Sequence, residues 1–209
     1  MLFDALDKYV SELGTVVEAL HPDRKALLDH FAGMIVLAHK KGDVRLVFIC
    51  THNSRRSHLA QVWATSMAKF FGLDGIYSWS GGTEVTAFHP NAIAALRRAG
   101  FSVADAEGKN PVYEVRYSEY APPIGCFSKV YDHPDNPSRD FGAVMTCSDA
   151  DENCPIVSGA SWRLSLTYDD PKLSDGTPEE AAVYDARVKE IGAELWYVMD
   201  KVRQMITTI

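Results

Sequence analysis

Residues 44–57 read VRLVFICTHNSRRS, an apolar run that passes directly into a polar turn. Apart from Arg45, the first six residues are aliphatic or aromatic, which is typical of a strand buried inside a parallel sheet. Apolar residues then recur at helical spacing from about Ser57 to Phe71. The stretch therefore predicts a strand, a tight turn and a helix, and the rest of the fold prediction is built around that unit.

Similar units repeat along the chain. Periodicity predicts further strands over 76–80, 141–146 and 162–166, and a helix over 90–99. A final helix is predicted to run to about Met205, with Thr177 as its N-cap, Pro178 in its first turn and Glu180 closing a capping box. Strands that alternate with helices predict an α/β fold, a four-stranded parallel sheet with helices on both faces.

Two segments fall outside this pattern. Residues 1–42 read as two amphipathic helices, a predicted N-terminal helical extension in front of a main domain over 43–209. Residues 102–140 hold five of the ten prolines and little periodicity, which predicts a long proline-rich insertion. A homodimer interface, a lid and a partner-docking surface are open alternatives for these segments. Simple packing of the helices on the sheet, with a surface loop beside them, is favoured.

Composition excludes several classes of protein. The 209 residues are 46% hydrophobic and 23% charged, as in an ordinary globular domain. No apolar run approaches the roughly 18 residues of a membrane span. A net charge of −7 argues against nucleic acid or an anionic membrane as the main partner. The N-terminus lacks a signal-peptide pattern, so we expect a cytoplasmic protein with reduced cysteines.

The turn after the first strand has the composition of an oxyanion site. Its predicted members are Thr51, His52, Asn53, Ser54, Arg55 and Ser57. Backbone N–H groups at a helix start attract an anion, and the same field favours the thiolate form of Cys50 as a nucleophile. Arg56 can bind two anion oxygens through its planar guanidinium. The alternative is a structural cysteine followed by solvated arginines. His52 and His58 flank the turn, either to assist the oxyanion when protonated or as surface residues.

A second cysteine motif follows the third predicted strand. Residues 147–155 read CSDADENCP, and six residues between Cys147 and Cys154 do not match the short spacing of zinc sites, so no metal is predicted. A polar loop after an apolar strand suits a thiol that must move to reach another thiol. The alternative is a pair of unrelated buried residues. Cys126 has no motif around it and is predicted to be a buried bystander.

With these motifs the sequence resembles the low-molecular-weight protein tyrosine phosphatase superfamily. Residues 50–57 match the fixed positions of its V-C-x-x-N-x-x-R-S signature from the cysteine onward. The resemblance implies that Cys50 is the nucleophile, that Arg56 clamps the oxyanion, and that Asp170, in the Tyr-Asp-Asp-Pro of residues 168–171, is the general acid. Without it, Asp170 reads equally well as an exposed turn residue.

The second motif resembles the redox loop of the thioredoxin-coupled arsenate reductases in that superfamily, which carries C-S-D-A-D-x-N-C-P. This implies reduction of arsenate to arsenite by a relay through Cys50, Cys147 and Cys154, with no cofactor except an external thiol reductant such as thioredoxin. Gln61 replaces an acidic residue that helps bind potassium in several members, so that cation is not predicted. Arg55 is expected to add positive charge at the mouth of the site.

Two other functions stay open. A phosphatase acting on phosphotyrosine or small aryl phosphates needs only Cys50, Arg56 and Asp170, and the shape and charge of phosphate match those of arsenate. A non-catalytic oxyanion-binding or redox-sensing protein is the third possibility, with cysteines that respond to oxidants.

Overall fold

The central sheet has four parallel strands. A computed structural model describes residues 1–154 and 156–207, so Pro155 of the second cysteine motif and residues 208 and 209 of the predicted main domain lie outside the described residues. The strands are β1 (Val44–Cys50), β2 (Ile76–Gly82), β6 (Phe141–Met145) and β7 (Ala160–Ser165), in the order β2-β1-β6-β7. The predicted four-stranded parallel sheet is confirmed, with β2 two residues longer than expected.

The strand order brings the two cysteine motifs to the same edge of the sheet. β1 is followed in the chain by β2 on one side, while β6 lies on its other side. In the register, Cys50 pairs with Gly82 of β2, and Ile49 pairs with Met145 of β6. A crevice opens where strand order reverses, beyond the carboxyl ends of the strands, and this is where open α/β sheets place their ligands. Cys50 and Cys147 both lie at this edge.

Helices cover both faces of the sheet, as predicted, but unequally. The helices are α1 (Asp4–Ser11), α2 (Leu13–Glu18), α3 (Pro22–His39), α4 (Arg56–Phe70), α5 (Pro90–Arg98), α6 (Ser148–Asn153) and α7 (Glu180–Thr207). Val44, Leu46 and Phe48 of β1 point into the larger apolar core, which they share with residues of α1 to α5 and α7. Val47 and Ile49 point the other way, into a smaller cluster covered by Ala150 of α6. Within the described ranges, no helix is long and apolar enough to cross a membrane.

The start of α7 differs from the prediction. The helix begins at Glu180, and the Thr177 hydroxyl donates to the carbonyl of Ser174 instead of accepting from the helix. The Glu180 carboxylate accepts from the backbone N–H of Gly176. The predicted capping box is therefore wrong, because a short 3₁₀ helix over Pro171–Ser174 takes up the Thr177 side chain before α7 starts.

The N-terminal extension has three helices instead of two. The break between α1 and α2 coincides with two hydroxyl-to-backbone bonds, from Ser11 to the carbonyl of Lys8 and from Thr15 to that of Glu12. Such local bonds compete with a continuous helix. The apolar side chains of all three helices enter the larger core, and α2 and α3 pack directly against α7.

A buried ion pair joins the extension to the main domain. Arg24 of α3 donates two hydrogen bonds to the carboxylate of Glu194 in α7, at 2.6 and 2.8 Å. The Glu194 side chain is 1% exposed. Arg24 also donates to the carbonyl of Thr167, and its guanidinium lies over the ring of Tyr168. The extension thereby supports the segment that follows β7.

Residues 102–140 contain regular structure that the sequence did not predict. Strands β3 (Ser102–Val103), β4 (Tyr113–Arg116) and β5 (Ile124–Cys126) form an antiparallel sheet in the order β3-β4-β5. Strands of two to four residues are too short to show a period-two pattern. Beyond β5 the chain reaches the edge of the main sheet, where Gly82 donates to Lys129 and accepts from Tyr131 through backbone groups. The insertion therefore covers part of the free edge of β2.

We expect loss of Arg24 to cost more than loss of an exposed ion pair. Arg24→Met leaves the Glu194 carboxylate buried without its partner, which should lower the free energy of unfolding by about 3–5 kcal/mol. The matched control is Arg116→Met, whose partner Glu114 is half-exposed, and its effect should stay below about 1 kcal/mol. Urea unfolding measures both. Equal effects of the two substitutions would contradict a structural role for the buried pair.

Candidate functional site

Five residues between β1 and α4 form the anion loop, Thr51 to Arg55. The loop follows Cys50, which is 3% exposed. It leads into the first turn of α4, where the backbone N–H groups have no partner within the helix. Asn53 adopts the left-handed conformation, with φ of 43°. Asparagine accepts this conformation more readily than most residues. The tight turn therefore fits the sequence, and its N–H groups can converge on an anion.

A short hydrogen-bond chain reaches the Cys50 sulfur. The Asn53 side-chain amide donates to the Ser57 hydroxyl at 2.8 Å. The Ser57 oxygen lies 3.1 Å from the Cys50 sulfur. Because the Ser57 oxygen already accepts from Asn53, its hydrogen is available to donate to the sulfur. A donor aimed at the sulfur stabilises the thiolate, so the positions predicted for Asn53 and Ser57 make a coherent nucleophile site.

His58 does not face the oxyanion, and it is not a surface residue. It is fully buried, stacks on Phe88 at 4.2 Å between ring centroids, and its Nδ1 lies 3.2 Å from the Asn53 amide nitrogen. Burial and the charge of Lys129 hold the pKa of His58 well below its usual value. Both expectations for His58 are wrong, because a neutral imidazole here accepts from the loop. His52, in contrast, is 43% exposed and lies 3.4 Å from Glu84.

The segment after β2 forms one wall of the anion loop. Thr83 and Glu84 both donate backbone N–H groups to the Thr51 carbonyl. A Cβ on Gly82 would lie 2.6 Å from the Thr51 carbonyl oxygen and 2.7 Å from the Asn53 nitrogen. Only glycine allows the loop backbone to approach β2 this closely. Residues 82–84 therefore set the position of the loop.

The guanidinium of Arg56 points toward the predicted acid. One nitrogen donates to the Asp170 carboxylate at 2.7 Å, and another donates to the carbonyl of Tyr168 at 2.9 Å. The Arg56 side chain is 11% exposed, and its Nε is buried with no hydrogen-bond partner in residues 1–154 and 156–207. Asp170 also accepts from the N–H of Lys172. The sequence-predicted pair is thus brought together, and the Arg56 Nε donor is left unused.

Arg55 does not add free charge at the mouth of the site. Its side chain donates to the Tyr184 hydroxyl at 2.6 Å and to the Asp175 carboxylate at 2.8 Å. The Tyr184 hydroxyl donates to Asp175 in turn, and His89 lies 3.7 Å from the same carboxylate. Burial raises the pKa of Asp175, but the Tyr184 hydrogen bond and the Arg55 charge outweigh it, and the pKa falls below its ordinary value. The expectation for Arg55 is therefore wrong.

This network ties the segment from Asp170 to Asp175 to the anion loop. Asp175 follows Asp170 by five residues, directly after the 3₁₀ helix. Burial and the hydrogen bond to Asp175 raise the pKa of Tyr184 to about 12, so the phenol stays protonated and keeps donating. Sequence reasoning missed Asp175, Tyr184 and His89, and nothing in the sequence links three residues this far apart.

Cys147 lies against the anion loop. It is buried, and its sulfur is 3.5 Å from the hydroxyl of Thr51, the residue that follows Cys50. The Thr51 hydroxyl donates to Asp149 at 2.6 Å, so its oxygen can accept from the Cys147 thiol. Cys147 is also the N-cap of α6, and its sulfur accepts from the N–H of Ala150 at 3.4 Å. The contacts of Thr51 with Cys147 and Asp149, which join the anion loop to the second motif, were not predicted.

Cys154 and Cys126 occupy different environments. Cys154 follows the last residue of α6, is half-buried and directs its thiol toward the carbonyl of Ile156. Cys126 is fully buried in β5, and burial raises its pKa to about 12. A thiol with that pKa is not ionised near neutrality, and only the thiolate is nucleophilic.

The Gln61 side chain is buried and held against β2. Its side-chain oxygen accepts from the Ser80 hydroxyl at 2.6 Å. Across the described part of the chain, no group of three or more His, Cys, Asp or Glu side chains is arranged to hold a metal ion.

Comparison with known proteins gives consistent matches. Residues 45–119 match the family model described as low molecular weight phosphotyrosine protein phosphatase. The chain is 30% identical over 151 residues to an arsenate reductase of Bacillus licheniformis, covering 72% of this chain and 91% of that protein. An arsenate reductase of Bacillus subtilis strain 168 is 28% identical with the same coverage. A low molecular weight phosphotyrosine phosphatase from Vibrio cholerae O395 has the same fold, with a TM-score of 0.51 at 15% identity, covering 78% of this chain and 98% of that one.

Acidification should destabilise the protein through His58. Below pH 6.5 the unfolded chain protonates this histidine while the folded chain does not, so the free energy of unfolding falls as the pH falls. The loss should approach about 1.4 kcal/mol per pH unit well below pH 6.5. Urea unfolding between pH 7.5 and 5 should give a flatter profile for His58→Gln, which keeps an acceptor for Asn53. The exposed His30→Gln is the control, and a wild-type profile matching that of His58→Gln would contradict this assignment.

A methyl group on Gly82 should displace the anion loop. Gly82→Ala is expected to lower the free energy of unfolding by about 1–3 kcal/mol through overpacking, and to weaken protection of Cys50 from iodoacetamide by inorganic phosphate. Gly125→Ala is the matched control, because a Cβ there has Val112 as its nearest contact at 3.7 Å. Unchanged phosphate protection in Gly82→Ala would show that the loop tolerates the shift.

Proposed function

The chain belongs to the low-molecular-weight phosphotyrosine protein phosphatase family, and from that premise we propose that it is an arsenate reductase. In this proposal, arsenate is reduced to arsenite by a thiol relay from Cys50 to Cys147 to Cys154. The observation that carries the proposal is the contact between Cys147 and Thr51, which puts a second thiol beside the nucleophile loop. The curated relatives cited above are named arsenate reductases.

Arsenate would bind in the anion loop through the N–H groups of the loop and of the first turn of α4. The Nε of Arg56, which has no partner in the described residues, is a further donor. The Arg56 nitrogen that donates to Asp170 also becomes available when the anion displaces that carboxylate. Arg56 and Asp170 neutralise one another before substrate binds. When the dianion binds, it therefore replaces Asp170 as the anionic partner of Arg56. The Arg56 guanidinium then stays compensated in its buried position.

The first step forms a bond from Cys50 to arsenic. The Cys50 thiolate attacks arsenic, the bond from arsenic to a hydroxyl group breaks, and the departing hydroxide takes a proton and leaves as water. Asp170 is the proposed proton donor, because its carboxylate takes up a proton once the anion replaces it on Arg56, and it lies where the bound anion would present its outer oxygen. The Ser57 hydroxyl, which donates to the sulfur, stabilises the thiolate before the attack.

The second step transfers electrons to arsenic. The Cys147 thiolate attacks the Cys50 sulfur, an S–S bond forms, and the S–As bond breaks with its electron pair remaining on arsenic. As(V) becomes As(III), two thiols have been oxidised to a disulfide, and arsenite leaves. The N–H of Ala150 supports the Cys147 thiolate at the start of α6.

The third step needs α6 to unwind. Cys154 attacks Cys147, which releases Cys50 and leaves a Cys147–Cys154 disulfide. The two residues flank a six-residue helix, so seven steps at about 1.5 Å rise separate their Cα atoms by roughly 10 Å. A disulfide requires a Cα separation below about 7 Å. Contacts from Thr51 to Asp149 and from Arg163 to Asp151 hold α6 in place, and both would have to change.

An external dithiol of the thioredoxin type is the proposed reductant of that disulfide. Cys154 is partly exposed, and the neighbouring Ile156 is 83% exposed, which offers an apolar contact beside the sulfur. A homodimer through the N-terminal helices and a cytoplasmic location remain predictions. The apolar residues of those helices are mostly buried within the chain, while Leu37 is 63% exposed.

A phosphatase is the second candidate function. Hydrolysis of an aryl phosphate needs a nucleophile, an oxyanion clamp and an acid. Cys50, Arg56 and Asp170 would take these roles, and Arg56 and Asp170 are already paired beside the anion loop. The match to the phosphatase family model covers the Cys50 loop. Such an enzyme has no use for Cys147 or Cys154 in its reaction, so the two thiols separate the candidates.

A side-by-side assay tests the proposal. Purified protein is supplied with arsenate, thioredoxin, thioredoxin reductase and NADPH, and separately with p-nitrophenyl phosphate. We expect NADPH oxidation that depends on arsenate. Cys50→Ser should abolish both activities. Cys147→Ser should abolish multiple-turnover arsenate reduction and spare phosphate ester hydrolysis, because only the relay uses the second thiol.

Cys126→Ala is the matched control, since it removes a thiol that lies outside the relay and should retain both activities. Arsenate reduction by Cys147→Ser at the wild-type rate would overturn the relay. Hydrolysis of the phosphate ester without any arsenate-dependent NADPH oxidation would favour the phosphatase.

A further inference from the structure

A second cleft lies beside the edge strand, away from the Cys50 sulfur. Its volume is about 1010 Å³, and it lies between α4, the edge of β2 and the insertion. The residues that matter for its chemistry are Gln61, Tyr77, Trp79, Phe127, Lys129 and Asp135. The insertion thus does more than cover the edge of β2, because it leaves next to that edge an open space that is lined in part by aromatic side chains.

Lys129 is an unpaired cation in the wall of this cleft. The residue is 3% exposed, yet in residues 1–154 and 156–207 its ammonium group has neither a carboxylate within 4 Å nor a hydrogen-bond acceptor. It lies 4.5 Å from the centre of the Phe127 ring. Burial lowers the pKa of Lys129. Desolvating an ammonium without an anionic partner is costly, so an anion entering the cleft would relieve that cost.

Neighbouring acidic groups do not satisfy Lys129. Asp135 also lines the cleft and its charge acts on Lys129, but in the described residues no ion pair within 4 Å joins the two, and the Asp135 side chain is 62% exposed. The other lysine of the cleft, Lys69, is already paired with Asp74 at 3.0 Å. Of these two lysines, the buried one is the one whose charge is available to a ligand.

The rest of the lining favours a flat ring. Tyr77 and Trp79 are both on β2, and their ring centroids are 6.3 Å apart. The Lys129 ammonium lies over the face of the Phe127 ring. Aromatic side chains bind other rings by stacked and edge-to-face contacts. We propose that this cleft binds a small aromatic carboxylate, with its carboxylate on Lys129 and its ring against the aromatic lining.

The cleft is separate from the anion loop, although Lys129 contacts that loop through its backbone. The Lys129 N–H donates to the Asn53 side chain, and its carbonyl accepts from Gly82. The side chain of Lys129 is therefore free to change while the backbone contacts persist. The inference does not depend on the proposed reaction, because it concerns a different surface and a different ligand.

Calorimetric titration tests the inference. Full-length protein is titrated with 1-naphthoate and with the neutral 1-naphthamide, each without phosphate and in saturating inorganic phosphate, which occupies the anion loop. We expect one naphthoate per chain, bound about tenfold or more tightly than the amide, as for a hydrogen bond to a charged group. Equal affinities, no binding, or naphthoate binding that phosphate abolishes would each overturn the proposal.

Two variants locate the charge. Lys129→Met should bring naphthoate affinity down to that of the amide, while the control Lys69→Met should change it by less than about threefold. Equal losses in both variants would point to general electrostatic attraction and overturn the assignment of Lys129. If Lys129→Met fails to fold, the two wild-type titrations and a Trp79→Leu variant, which should weaken both ligands, still decide the question.

Discussion

The side-chain amide of Asn53 connects the parts on which this site depends. Its two donors reach Ser57 and His58 in α4, and its oxygen accepts from Lys129 of the insertion. The backbone of Asn53 has a positive φ, which the side-chain contacts on both sides hold in place. The three contacts together hold a turn whose N–H groups can converge on an anion. Cys50, the proposed nucleophile, is thus positioned with the help of an amide three residues away from it.

Charge at the site is balanced locally, and the overall charge of −7 gives little guide to it. Arg55 and Arg56 are adjacent, yet each has its own carboxylate, Asp175 for the first and Asp170 for the second. The two pairs have different consequences. Arg55 is also held by Tyr184, so the Arg55–Asp175 ion pair fixes the segment from Asp170 to Asp175. Arg56 keeps an unused Nε donor, and in the proposed reaction it exchanges its carboxylate for the substrate. One arginine has a structural role, and its neighbour is the proposed binding residue.

Sequence patterns predicted the elements formed by contiguous residues and missed the contacts between residues that are distant in the chain. β1, the loop and α4 follow from contiguous periodicity, and the pairing of Arg56 with Asp170 followed from a family resemblance. The positions of His58 and Arg55 were predicted wrongly, because their partners, Phe88 and Asp175, are distant in the chain. The strands of the insertion were missed for a different reason. They are two to four residues long and gain their stability from pairing rather than from an alternating pattern.

The stability of α6 is the remaining constraint on the proposed chemistry. A helix of six residues is too short to persist alone, since helix nucleation is unfavourable and few hydrogen bonds compensate for it. It forms here because Arg163 and Ser165 of β7 bind Asp151, and Thr51 binds Asp149. The Thr51 contact comes from the residue next to Cys50. Any covalent change at Cys50 that shifts Thr51 therefore also weakens the anchor of α6. Formation of the first disulfide would in this way loosen the helix that must unwind for the second.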